Sequence, residues 1–167
     1  MKTPQKRNKS GGCKLTRTET VTVRLDPKTR YMADLAARRQ RRTLSSFIEW
    51  AVEQALHGVC LIGGVTADEM THNLWDVDES ERFARLAIYI PELLTYEEQE
   101  KWKMLNESDI LLHAKVRGTD GVLSWNFAAL KDKVFPELRK HWQEMNEAYD
   151  EGEEAIRQWI DSNTIPF

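Results

Sequence analysis

The spacing of apolar residues changes from a period of two to a helical period within the first part of the chain. Thr20–Leu25 alternates polar and apolar side chains and is rich in β-branched residues, which predicts a short, half-buried strand. Successive side chains of a strand point to opposite faces. The apolar face would hold Val21, Val23 and Leu25, and the polar face Thr20, Thr22 and Arg24.

Two amphipathic helices are predicted after this strand. Asp26 is a preferred N-cap and Pro27 suits the first helical position, so the first helix should run from Pro27 to Gln40. Thr43 should cap a second helix from Leu44 to His57, before a stop at Gly58. The predicted buried stripes are Tyr31, Met32, Leu35 and Ala36 in the first helix and Phe47, Ile48, Ala51, Val52, Ala55 and Leu56 in the second.

The rest of the pattern predicts a mostly helical region with one β-hairpin. Residues 58–75 are less regular, and we place a domain junction there. The predicted helices are Asp78–Ile90, a helix opened by a capping box at Thr95–Glu98 and ending near Asn106, Phe135–Tyr149 and Glu153–Asp161. Two strands, Leu111–Val116 and Val122–Phe127, would flank a turn at residues 118–121.

Charge is distributed unevenly along the chain. Residues 1–58 hold 13 Lys/Arg and 5 Asp/Glu, a net charge of +8, whereas residues 59–167 hold 11 and 22, a net charge of −11. This asymmetry indicates a polyanion-binding end and an end that avoids polyanions. Residues 1–18 have little apolar content and are interpreted as a flexible basic arm.

A strand and two helices of this length make a poor monomer. The strand has no partner for its backbone groups, and both helices would expose apolar surface. Two copies solve both problems by pairing their strands antiparallel and interlocking their helices, which gives a twofold-symmetric dimer. A two-stranded ribbon of this kind fits the major groove of B-DNA.

Residues 19–58 resemble the ribbon-helix-helix superfamily of Arc/MetJ/CopG-like DNA-binding proteins. The resemblance is carried by the strand with its Asp26-Pro27 cap, the apolar stripe of the first helix, and the run from Thr43 to Val52. It implies a mainly α (α+β) protein whose N-terminal part forms an intertwined dimer. Many members have glycine in the turn between the helices, where this chain has Arg41-Arg42.

The resemblance also implies residue roles. The outward strand residues Thr20, Thr22 and Arg24 would contact bases, and arginine can bind guanine O6 and N7 in bidentate fashion. The start of the second helix would contact phosphates through backbone amides, which any helix N-terminus offers to anions. The phosphate-contacting set is Thr43, Leu44, Ser45 and Ser46, assisted by Arg41 and Arg42.

Residues 59–167 resemble no family and carry no catalytic motif. Five of the six tryptophans lie there and are expected to be core or half-buried residues. The four histidines and two cysteines lack metal-ligand spacing, so we expect no metal, no cofactor and no enzyme activity. We expect this acidic region to sense a ligand, oligomerise or bind a protein partner.

The sequence favours a transcriptional repressor or autoregulator that binds double-stranded DNA as a homodimer, with higher oligomers on DNA left open. One alternative is an antitoxin whose C-terminal region binds a toxin, although such tails are commonly short. Another is a plasmid or phage partition protein that binds DNA without regulating transcription. No apolar run is long enough for a membrane helix, and we expect a cytoplasmic, nucleoid-associated protein.

Overall fold

The structure, a computed structural model, describes residues 20–117 and 123–164. The arm predicted for residues 1–18 and the turn predicted for residues 118–121 lie outside this described part. The chain divides into two compact units, Met1–Ala51 and Val52–Phe167. The described residues are mainly helical, with two small antiparallel sheets of two strands each.

Both predicted helices begin in the N-terminal unit, and the last five residues of the second belong to the C-terminal unit. Helix α1 spans Pro27–Arg39, and its N-cap Asp26 accepts hydrogen bonds from the backbone N–H groups of Lys28 and Thr29 at 3.0 and 3.1 Å. Helix α2 spans Leu44–Leu56. Both helices are confirmed, and each ends one residue before its predicted end.

A β-hairpin that the sequence did not predict follows α2 in the C-terminal unit. Strand β1 (Cys60–Ile62) pairs antiparallel with β2 (Val65–Thr66). The two residues between them, Gly63 and Gly64, have φ angles of 54° and 85°, the left-handed values that a tight two-residue hairpin turn requires. A short helix, α3 (Thr71–Leu74), follows the hairpin.

The next two helices begin within one residue of their predicted starts. Asp78 caps α4 (Glu79–Tyr89) by accepting a hydrogen bond from the Glu81 N–H at 3.2 Å. Thr95 and Glu98 form a reciprocal capping box at the start of α5 (Tyr96–Glu107). The predicted capping box is therefore confirmed, whereas Asp78, predicted as the first residue of its helix, is the N-cap.

The predicted strand Leu111–Val116 is mostly wrong. Asp109–Ala114 is a 3₁₀ helix, and only Lys115–Arg117 forms a strand, β3, which pairs with β4 (Leu123–Trp125). Leu111 and Ala114 are both buried, whereas Leu112 is exposed. That burial at a spacing of three suits a helix with three residues per turn and contradicts a period-two strand.

The last part of the chain is more helical than predicted. Asn126, predicted within a strand, instead caps α6 (Phe127–Ala129). A π-helical turn, Leu130–Val134, leads into α7 (Phe135–Glu151), and Gly152 separates α7 from α8 (Glu153–Ser162). The two final helices are confirmed.

The core of the C-terminal unit forms where α4, α5, α7 and α8 pack together. Its fully buried side chains include Leu105, Leu138 and Met145. Four of the five tryptophans in residues 59–167 are buried or half-buried, as predicted, but Trp75 is 56% exposed, with the Arg82 guanidinium 5.0 Å from its ring centroid.

None of the helices in residues 20–117 and 123–164 is long and apolar enough to cross a membrane.

Candidate nucleic-acid interface

The single chain forms no strand at residues 20–25, where the reading strand was predicted. Thr20, Thr22 and Arg24 are exposed, and so are the alternating Val21 (80%) and Val23 (58%). Residues 20–25 pair with no other strand in the described part of the chain. Because the predicted ribbon needs the strand of a second copy, pairing and base contact stay predictions.

The turn between α1 and α2 closes by a pair of backbone hydrogen bonds. The Arg42 N–H donates to the Ala37 carbonyl at 2.9 Å, and the Arg41 N–H donates to the Arg38 carbonyl at 3.0 Å. This is the Schellman arrangement, which requires a left-handed residue just after the helix. That residue is Arg41, with φ 56°, the sole non-glycine residue with positive φ in the described ranges. The sequence marked the missing glycine but did not predict that arginine would adopt the conformation glycine favours.

The N-terminus of α2 is capped by Thr43, and its first backbone N–H groups have no helical carbonyl to bind, as an anion-binding site requires. Thr43 Oγ1 accepts a hydrogen bond from the Ser46 N–H at 3.1 Å, and the Thr43 carbonyl accepts one from the Phe47 N–H at 2.9 Å. The N–H groups of Leu44 and Ser45 precede the first residue that can bond back to a helical carbonyl. Ser45 and Ser46 are both exposed residues.

Trp50 also belongs to this surface, although the sequence did not predict a role for it. The guanidinium of Arg42 lies 5.3 Å from the ring centroid of Trp50, and Trp50 in turn lies 5.6 Å from the Phe47 ring. A cation held over an indole face is attracted to the ring by about 0.5–1 kcal/mol when exposed. Trp50 therefore restrains Arg42 near the start of α2. The spacing of Phe47 and Trp50 on one helix face was the available signal.

Positive charge dominates the N-terminal unit. Residues 20–51 contain seven Lys/Arg and three Asp/Glu, and Arg38 is ion-paired with Asp34. Hydrogen bonds from the Thr29 side chain and backbone hold the pKa of Asp26 below its usual value, so this cap is charged at neutral pH. The arginines of the predicted interface, Arg24, Arg41 and Arg42, are all exposed.

The apolar stripes of α1 and α2 are largely uncovered within one chain, as the sequence predicts for a copy without its partner. Tyr31 is 63% and Met32 56% exposed, Phe47 and Ile48 are half-buried, and Ala37 is the one buried residue in the stretch 20–51. A short unit with so few internal contacts cannot form a core by itself. The predicted stripe residues exposed in the single chain are Tyr31, Met32, Leu35, Val52, Ala55 and Leu56.

An open groove of about 440 Å³ follows this uncovered surface. Leu25, Pro27, Tyr31 and Leu44 supply its apolar lining, and Arg30 and Asp34 also border it. It therefore connects the end of the predicted strand to the starts of both helices. Exposed apolar patches of this kind commonly mark interaction surfaces.

Two of the histidines in the C-terminal unit lie beside carboxylates. His57 lies 3.1 Å from Asp68, and His141 lies between Glu137 and Glu144. In residues 20–117 and 123–164, no three or more His, Cys, Asp and Glu side chains are grouped to hold a metal ion. No family model, no curated protein and no solved structure matches the chain.

Proposed function

We propose that the chain is a DNA-binding transcriptional regulator that reads the major groove with a two-stranded ribbon of a homodimer. The observation that carries this proposal is that the apolar side chains of residues 20–51 are largely uncovered in the single chain. Ala37 is the one buried residue in that stretch. The polar side of the same strand bears the groups suited to base contact. A ribbon-helix-helix dimer accounts for both sides at once.

Dimerisation follows from the energetics of the exposed stripe. Burying one large apolar side chain contributes roughly 1.5–3 kcal/mol, and Val21, Val23, Tyr31 and Met32 are each more than half exposed. Pairing two copies of the strand also satisfies backbone groups that lie at an open edge. Because both copies use the same surface, the interface is isologous and closes after two chains.

DNA contact follows from the opposite side of the strand. When Val21 and Val23 face the partner helices, Thr20, Thr22 and Arg24 face outward in the same ribbon. The amides at the start of α2 and the nearby Arg41 and Arg42 would then bind phosphates on either side of the groove. The phosphate contacts would fix the register of the ribbon, and the strand side chains would select the sequence.

The folded C-terminal unit favours a regulator over an antitoxin. Antitoxin tails are commonly short and disordered until the toxin binds, whereas this unit has capped helices and a closed apolar core that includes Leu105, Leu138 and Met145. We therefore assign it a regulatory role. A partition protein would bind DNA in the same way, and a reporter gene under the selected operator distinguishes it by the absence of repression.

The test is selection of bound sequences from random DNA by the full chain, followed by binding measurements with Arg24→Ala. We expect the dissociation constant for the selected site to rise about 5- to 150-fold, with little change for random DNA. Arg157→Ala is the matched control, since Arg157 is an exposed arginine of the C-terminal unit. Equal weakening on both DNAs, or no selected sequence, would contradict the proposal.

A further inference from the structure

Arg42 and Trp50 form a cation–π contact between the turn that precedes α2 and the second turn of that helix. The Arg42 guanidinium lies 5.3 Å from the Trp50 ring centroid, within the roughly 6 Å over which an aromatic ring attracts a cation. Trp50 is half-buried, and its ring lies 5.6 Å from that of Phe47. Phe47 therefore supports the indole, which gives the longer arginine side chain a surface on which to rest.

This contact lies on the side of α2 that carries the helix cap. Residues three, four and seven apart share a helix face, so Trp50 lies on the same face as Thr43 and Ser46, the two residues joined by the capping hydrogen bond. At 3.6 residues per turn, Ile48 and Val52 are about 160° away from Trp50 around the helix. The Arg42–Trp50 contact is therefore outside the apolar stripe that the proposed dimer buries.

Arg42 differs from its neighbour Arg41 in being held by a ring. Arg41 makes no such contact in the described residues. Arg42 is exposed, and no ion pair involves it within residues 20–117 and 123–164. An ordered guanidinium loses less conformational entropy on binding than a freely rotating one, and its planar set of N–H donors matches phosphate oxygens. The two arginines of the turn are therefore not equivalent as phosphate ligands.

We propose that Trp50 is a positioning residue that holds the Arg42 guanidinium ready for one backbone phosphate of the DNA, beside the first amides of α2. This inference rests on the proposed function and deepens it, because it names the residue that prepares the Arg42 contact. Trp50 acts through Arg42 and not on a base. Phosphate contacts carry no sequence information directly, so Trp50 raises the affinity for every DNA sequence alike.

A double-mutant cycle in DNA binding by the full chain tests this role. Trp50→Leu should raise the dissociation constant about threefold per subunit, or about tenfold for the dimer, on selected and random DNA alike. It should leave the salt dependence unchanged, because every charge remains. Arg42→Gln should reduce the slope of log K against log salt by about 2 per dimer, since each subunit loses one phosphate contact. In the Arg42→Gln background, Trp50→Leu should change the dissociation constant by less than about twofold.

Two controls separate positioning from a purely structural role. Arg39→Gln removes the charge of an exposed arginine three residues before Arg42, and Trp50→Leu should keep its full effect in that background. Trp50→Phe retains a ring face for the guanidinium and should bind DNA more tightly than Trp50→Leu. Sedimentation velocity checks that each variant has the oligomeric state of the original chain. If Trp50→Leu fails to fold, Trp50→Phe replaces it in the cycle, and its coupling to Arg42→Gln decides.

An equal loss from Trp50→Leu in the original and Arg42→Gln backgrounds would overturn this inference, and so would an unchanged salt slope for Arg42→Gln. If either result accompanies a selected DNA sequence whose binding depends on Arg24, the proposed function stands and this inference alone fails. If the original chain binds no DNA, both fail.

Discussion

Arg139 on α7 donates a hydrogen bond from Nε to Oδ2 of Asp78, the N-cap of α4, at 2.9 Å, although 61 residues separate the two in sequence. The same guanidinium contacts Glu81, and the Ser80 hydroxyl donates to the other oxygen of Asp78. One carboxylate thus serves as a helix cap and joins α4 to α7. The sequence predicted a helix that begins at Asp78, but it did not reveal the partner on α7, which depends on tertiary packing.

The Asp78 network should make stability depend on pH. Partial burial alone would raise the pKa of Asp78, but hydrogen bonds from Ser80 and Glu81 and the Arg139 charge outweigh it, so its pKa lies below the ordinary 3.8. A carboxyl group with a lowered pKa stabilises the fold above its unfolded pKa, and this contribution is lost as pH falls through the folded pKa. The melting temperature should therefore decrease as the pH is lowered below about 4.

Asp78→Asn provides the check on that assignment. Asparagine caps helices as well as aspartate does, so the variant removes the charge and leaves the cap. Its melting temperature should be lower at pH 7 and fall less between pH 5 and pH 2 than that of the original chain. Asp150→Asn, at an exposed position of α7, is the control. Identical pH profiles for Asp78→Asn and the original chain would contradict the assigned role.

Arg41→Gly should stabilise the N-terminal unit. The left-handed conformation at φ 56° costs a residue with a Cβ atom about 1–2 kcal/mol, and glycine avoids that cost while losing more backbone entropy. We expect a net gain of up to about 1 kcal/mol, measured by urea unfolding at fixed protein concentration. Arg42→Gly should not stabilise, since Arg42 lacks positive φ. Both variants remove a positive charge, so both should weaken DNA binding.

Val23→Asp should abolish dimerisation. Val23 is 58% exposed in the single chain, so a monomeric protein would tolerate aspartate there with little loss. In the proposed dimer the side chain is buried against the partner, and an unpaired buried carboxylate costs several kcal/mol. Sedimentation velocity should show a monomer for Val23→Asp and a dimer for Val77→Asp, a control at a 73% exposed valine of the C-terminal unit. A dimer for both variants would rule out the ribbon interface.

The C-terminal unit should fold without the N-terminal unit. Its core brings the rings of Phe83 and Trp142 to 5.2 Å and those of Phe83 and Trp102 to 6.0 Å, and all its cluster residues come from residues 83–160. A fragment beginning at Val52, the start of this unit, should melt cooperatively, with tryptophan emission that shifts to longer wavelength on unfolding. A non-cooperative melt would show that the core depends on residues 1–51.

Helix caps and apolar spacing predicted most of the helices correctly. The errors arose where a segment's composition favoured one structure and its packing against the core favoured another. Caps such as Asp26, Thr43 and Thr95 act within four residues, so the sequence reveals them directly. The run at Leu111–Ala114 suits a strand by composition, but the core lies against every third residue there. The Gly63-Gly64 pair carried a hairpin signal, yet its flanking strands of two and three residues are too short to show alternation.

The sequence likewise predicts some features of the candidate interface and not others. Thr43 and the α2 amides could be placed from the sequence, since capping is local. The Arg42–Trp50 contact could not, because it depends on the geometry of the turn at Arg41. Whether Thr20, Thr22 and Arg24 form a reading face depends on a second chain, so neither the sequence nor a single folded copy decides it.

The near absence of buried side chains in residues 20–51 has a quantitative consequence for the proposed regulator. When a unit folds only together with a second copy, the concentration of the folded dimer at low abundance rises with the square of the concentration of free chains. A modest change in synthesis or degradation then produces a larger change in operator occupancy. The small hydrophobic core of residues 20–51 would thus make an autoregulator sensitive to its own concentration in the cell.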